Sequence, residues 1–149
     1  MKSYAENRKA HFNYQILEEY EAGVVLTGPE VKSVRLGQTS IKEAFATVRE
    51  GEIWLTNAHI SPYKPAGDKQ FDPTRSRKLL LNKSEIDSLT GKVLAGGVTI
   101  VPLKIYGKNG KIKVLLGLAK GKKKYDKREK IKKREAEREI ERNLKNISS

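Results

Sequence analysis

"VTIVPLKIYGKNGKIKVLLGLAKG", residues 98–121, decides the fold. Two runs rich in β-branched and large apolar residues flank Lys108-Asn109-Gly110. An Asn-Gly pair between such runs is a strong hairpin signal, because both turn residues accept positive φ. Pro102 lies inside the first run. It has no N–H for a ladder bond, so it belongs at a sheet edge or a bulge.

The same pattern recurs upstream. "AFATVREGEIWLTNAHI", residues 44–60, alternates about Glu50-Gly51 and predicts a second hairpin, with Trp54 in the core and His59 hydrogen-bonded at the rim. "RKLLL", residues 77–81, predicts another strand. Tyr14, Ile16, Leu17 and Tyr20 open a strand in which Tyr14 is core, and Glu21-Ala22-Gly23 is expected to turn it back into Val24-Val25-Leu26. Residues 1–11 are polar and are expected to be a mobile start. Phe12, at its edge, suits a core role or an outside contact equally.

Helices are short. In "TGPEVKSVRLG", residues 27–37, Thr27 and Glu30 have capping-box spacing, Pro29 suits a first turn and Gly37 a stop. A helix over 29–36 follows, with Val31 and Val34 inward and Glu30 as a cap rather than a ligand. Asn82 and Glu85 signal another helix start, with Ile86 and Leu89 on one side. "SPYKPAGDKQFDPTRSR", residues 61–77, holds three of the five prolines and is a long loop. Six or seven strands in local hairpins with two or three short helices make a mainly β, α+β chain, an antiparallel sheet or small closed barrel.

The 149 residues carry a net charge of +13, no cysteine and two histidines. A basic excess of that size favours a polyanionic partner, most often nucleic acid. No stretch approaches the roughly 18 apolar residues of a membrane span, and the polar start gives no sign of a signal peptide. The expectation is a soluble cytoplasmic protein. The chain divides into a barrel domain, 1–119, and a basic tail, 120–149, which holds 13 Lys/Arg against 6 Asp/Glu. The tail is rich in helix formers but poor in apolar residues, so it is expected to be disordered when free and helical when bound. Its thin apolar face argues against a membrane-surface anchor.

Catalytic chemistry finds no foothold. His11 and His59 stand apart, no Ser-His-Asp spacing is arguable, and "AGG" and "GKNG" lack the order of a phosphate loop. No enzyme, metal or cofactor is expected. Cations beside aromatics are what the sequence offers: Arg8 and Lys9 with Phe12 and Tyr14, and Arg75, Arg77, Lys78 and Lys83 around a loop-to-strand junction. Cations hold phosphates and aromatic faces stack on unpaired bases.

In order along the chain stand "NRKA", "YEAG", "GPEVKSVRLG", "GEIWL", "HISPY", "DPTRSRKLLL", "VPLKIYGKNGKIKVLLGLAKGKKKYDKR" and "IKKRE". From about residue 7 to about 135 this set closely resembles the small protein B family, the transfer-messenger RNA (tmRNA)-binding proteins of bacterial trans-translation. The resemblance implies a barrel related to the oligonucleotide-binding fold that grips the tRNA-like domain of tmRNA. It implies entry into the vacant A site of a stalled 70S ribosome, with the tail in the empty mRNA channel and elongation factor Tu in the delivery complex. The protein would act as a monomer. Carried over by position, Asn7, Glu21 and Leu80 match residues tied to RNA binding, and Arg8, Lys9, Arg75, Arg77 and Lys78 fit phosphate contacts. In the tail, Asp126, Lys127 and Arg128 match the residues needed for tagging. Gly121, Lys122, Lys123, Lys124 and Tyr125 lead into them, and Ile131, Lys132 and Arg134 continue the helix. Phe12 stands where many members have histidine, Ala136 where many have an aromatic, and Pro29 where threonine is common. Set against this is an ordinary ribosomal or assembly protein with a basic rRNA-binding extension.

Overall fold

A computed structural model describes residues 2–64 and 72–122. The 98–121 segment is indeed a long hairpin, β8 (Val98–Lys108) and β9 (Lys111–Gly121), turning through Asn109 and Gly110 at positive φ. Upstream, β4 (Phe45–Arg49) and β5 (Glu52–Thr56) turn through Glu50 and Gly51, both again at positive φ. The other strands are β1 (Lys2–Glu6), β2 (Tyr14–Val24), β3 (Thr39–Ser40), β6 (His59–Ile60) and β7 (Arg77–Leu80). The helices are α1 (Arg8–Asn13), α2 (Gly28–Arg35) and α3 (Lys83–Ala95).

All pairings are antiparallel, in the order β1-β8-β4-β5-β7-β2-β9, and β9 also pairs with β8. That last pairing closes β8, β4, β5, β7, β2 and β9 into a barrel and removes its open edges. A bulge in β8 between Pro102 and Lys104 makes the arrangement work. On one side of it Ile100 pairs with Ala46 of β4; on the other, Lys104 to Gly107 pair with β1. Pro102, which has no N–H to donate, sits at this bulge, in line with its sequence signal.

The barrel interior holds Ala22, Ile53, Leu55, Leu79, Ile100, Ile105, Val114, Leu116 and Leu118, with Val34 of α2 and Leu89 of α3 packed against it. The capping box of α2 is present: Thr27 N–H donates to Glu30 Oε1 at 2.9 Å and Glu30 N–H to Thr27 Oγ1 at 3.3 Å.

Three expectations need correction. Residues 2–11 are not a loose start: β1 extends the edge of β8 beyond the bulge, and α1 follows. No turn occurs at Glu21-Ala22-Gly23, because β2 runs straight through, pairing there with β9 and then with β7 at Gly23. Trp54 is not core: Ile53 and Leu55 take the interior positions, and the pleat puts Trp54 half-buried on the outer face. The short strand β3 went unforeseen, and the second hairpin arm, expected to run to Ile60, ends at Thr56, with β6 pairing instead with β3. The strand β9 ends at Gly121, two residues beyond the expected limit of the barrel.

Candidate nucleic-acid interface

Asn7 fills the β8 bulge. Its N–H donates to Leu103 O at 2.9 Å, and its amide donates to Pro102 O at 3.2 Å and Ile41 O at 3.4 Å. At 7% exposure its amide hydrogens serve the protein's own carbonyls, so Asn7 fixes the start of α1 rather than presenting its amide outward. Next to it, Arg8 is fully out in solvent, 4.0 Å from Glu6, and Lys9 is exposed.

The far end of α1 receives the end of β9. Lys122 donates through its backbone N–H to Asn13 O at 3.2 Å and through Nζ to His11 O at 3.3 Å. Its Nζ also lies 6.0 Å from the centre of the Phe12 ring, which is 65% exposed. Phe12 therefore faces outward beside the Lys122 ammonium. Lys123, Lys124, Tyr125, Asp126, Lys127, Arg128, Ile131, Lys132 and Arg134 lie outside the described residues, as does Ala136.

Glu21 and Leu80 come together on the outer surface. Leu80 pairs with Gly23, two residues on from Glu21, and remains half exposed. Glu21 accepts from Tyr106 Oη at 2.5 Å and from Lys108 Nζ at 3.2 Å. The Tyr106 hydrogen bond, with Lys108 adding to it, outweighs partial burial and holds the Glu21 carboxyl below the ordinary range. In turn burial, then the bond to Glu21, pushes the Tyr106 phenol well above its ordinary value. A carboxylate fixed in this way is an acceptor for base amino and ribose hydroxyl groups; it repels phosphate. Neither Tyr106 nor Lys108 was singled out as a site residue in the sequence, Lys108 being read only as part of a turn. Their only signal was their place in the β8–β9 hairpin.

Arg75 and Arg77 are the largest surprise. Glu30, 1% exposed, receives Arg77 Nε at 2.6 Å and Arg75 Nε at 3.2 Å, and a closer contact from Arg75 Nη2. Arg77 is itself fully buried, donating to Ala58 O at 2.8 Å and Pro73 O at 3.1 Å. Its guanidinium has no room for a phosphate, which corrects the expected contact; Arg75 is partly exposed and committed to Glu30. Burial pushes Glu30 upward, but hydrogen bonds from Arg75, the Thr27 backbone and Arg77 more than offset it, so its carboxyl titrates below the ordinary range. Glu30 is thus a cap and also the anchor of two arginines. Lys78 remains outside, 3.6 Å from Glu52.

Among the described residues no group of His, Cys, Asp and Glu could hold a metal ion, and no helix is long and apolar enough to cross a membrane. A closed barrel whose outer face carries exposed cations, aromatics and fixed carboxylates, Glu21 among them, has the make-up of the RNA-binding β-barrel class. The SmpB protein family model matches residues 4–146. The chain is 56% identical over 144 residues to the SsrA-binding protein of Sulfurihydrogenibium sp. strain YO3AOP1, covering 97% of this chain and 95% of that one. It is 57% identical over 141 residues to the SsrA-binding protein of Geobacillus sp. strain WCH70, covering 95% and 91%. A solved chain described under "tmRNA-SmpB: a journey to the center of the bacterial ribosome" superposes with a TM-score of 0.66 at 52% identity, over 80% of this chain and 84% of that one. This chain belongs to the SmpB family.

Proposed function

We propose that this chain binds tmRNA and brings it to stalled ribosomes for trans-translation. The observation that carries the proposal is the match along almost the whole chain to SsrA-binding proteins, together with the superposition on a tmRNA–SmpB structure. The barrel supplies the RNA grip. Glu21, oriented by Tyr106 and Lys108, accepts hydrogen bonds from base or ribose donors, and exposed Leu80 packs beside them. Arg8, Lys9 and Lys78 neutralise phosphates. Asn7, Arg77 and, in large part, Arg75 act from within by holding α1 and the start of β7.

Residues 1–119 form the RNA-binding domain and 120–149 the ribosome-engaging tail. Gly121 and Lys122 give that tail its starting direction through α1. Lys123 to Arg128, with Ile131, Lys132 and Arg134, occupy the ribosomal A site and the mRNA channel in place of a codon–anticodon pair. The chain acts as a cytoplasmic, monomeric adaptor rather than an enzyme, and elongation factor Tu joins the delivery complex.

Binding of the purified chain to the isolated tRNA-like domain of tmRNA tests this. Glu21→Gln and Leu80→Ala should each weaken it at least several-fold, and affinity should fall steeply with salt. Unchanged affinity in both variants, or equal affinity of the wild-type chain for an unrelated hairpin RNA, would refute the assignment.

A further inference from the structure

Beside Lys78 and Leu80, the outer face of β4, β5 and β7 carries Trp54 and Arg49, which neither the barrel core nor the contacts above account for. Trp54 is the chain's one tryptophan. Its cross-strand partners are Thr47 on β4 and Lys78 on β7. The Arg49 guanidinium lies over the indole, 4.6 Å from the ring centre. Lys78 faces solvent with a side-chain exposure of 40%. Two residues along the same face is Leu80, 51% exposed. The indole Nε1 is a buried donor without an acceptor, the only such side-chain atom among the described residues.

A tryptophan placed only to protect the sheet would lie beneath apolar neighbours and give its N–H to a protein oxygen. Here the cover is instead a guanidinium on a flexible stem, which a planar base can replace at little cost. Arg49 lies over the ring and Lys78 stands beside it on the next strand, so cations border the indole where the phosphates of a stacked nucleotide would run. The cluster also continues directly into the Leu80 surface.

We propose that Trp54, Arg49 and Lys78 form a stacking platform for one unpaired nucleotide of the RNA held at Leu80. The proposal rests on the RNA-binding reading above. The base displaces Arg49 and stacks on the indole, and Arg49 and Lys78 then hold the flanking phosphates. The sequence position of the nucleotide is unconstrained, because every base offers a π-face.

Fluorescence excited at the red edge of indole absorption, where tyrosine does not absorb, reports on Trp54 alone. The full chain is titrated with the tRNA-like domain of tmRNA, and binding is followed in parallel by mobility shift of the labelled RNA. Emission should be quenched along the same saturation curve as the shift. Trp54→Ala should weaken binding about five- to tenfold and Trp54→Phe by no more than about twofold, since stacking survives with a smaller ring. Arg49→Met leaves the core untouched, so it reads the platform even if Trp54→Ala folds poorly. It should lower the slope of log affinity against log salt by about one. A full mobility shift with unchanged emission, or an unchanged salt slope in Arg49→Met, overturns the platform alone. Absence of any shift with the wild-type chain overturns the platform together with the RNA-binding reading.

Discussion

Replacing Glu30 by glutamine tests how the barrel is tied to α2. The carboxylate is 1% exposed and is the anionic partner of both Arg75 and the fully buried Arg77. In Glu30→Gln the Arg77 guanidinium keeps Ala58 O and Pro73 O but loses its counter-charge. Removing one member of a buried ion pair costs about 3–5 kcal/mol, because the remaining charge stays desolvated. The Thr27 cap is weakened as well. At about 2–4 °C per kcal/mol for a chain of this size, the melting temperature should fall by about 6–20 °C. Glu30→Met with Arg77→Met together should recover a good part of that loss, since no fully buried charge is left stranded and Arg75 is partly open to solvent. The penalty is also pH-dependent. The Glu30 carboxyl is held low in the fold, so its contribution is complete above the unfolded-state value and disappears as pH falls through the folded-state value. Wild type and Glu30→Gln should therefore begin to converge only once pH falls below the ordinary carboxylate value of about 4.3, and should do so progressively as the folded-state carboxyl takes up its proton. Thermal melts across pH decide the matter. A loss under about 1 kcal/mol at neutral pH, or one that persists unchanged in acid, would refute the reasoning.

Two further outcomes follow from the interface. Asn7→Ala strands the Pro102 and Ile41 carbonyls and should cost about 1–3 kcal/mol in urea unfolding; amide exchange over α1 should accelerate, and an unchanged exchange pattern would make Asn7 a bystander. In an ultraviolet difference titration of the folded chain, one tyrosine should stay protonated well into alkali, and Tyr106→Phe should remove that late step. Because the phenol is raised in the fold, its contribution holds below the unfolded-state value near pH 10 and is lost as pH climbs through the folded-state one.

The parts of the fold that were legible in the sequence are those fixed by neighbours in the chain. Asn109-Gly110 and Glu50-Gly51 set the two hairpins through positive φ, and Thr27 with Glu30 set the start of α2. Pro102 announced a bulge for the same local reason. What lay hidden depends on distant pairing. The strand β1 is polar and short, and its place comes from the β8 edge left free beyond the bulge, about a hundred residues away. Arg75 and Arg77 look like surface cations until Glu30 is brought to them across the barrel. In Ile53-Trp54-Leu55 all three residues are apolar, so composition cannot say which one faces outward; pairing with Thr47 and Lys78 decides it. Leu80 and Glu21 were identifiable only by resemblance, and their shared surface needed the β2–β7 pairing.

The central claim is that one chain divides its work between a barrel that holds tmRNA and a tail that engages the ribosome. Shortening the chain to residues 1–122 keeps every described element, including the Lys122 contacts with α1. Its affinity for tmRNA should stay within a few-fold of the full chain, while tagging of a nascent peptide on stalled ribosomes should fall to background. Tagging that survives the truncation, or RNA binding that collapses in step with it, would contradict the account.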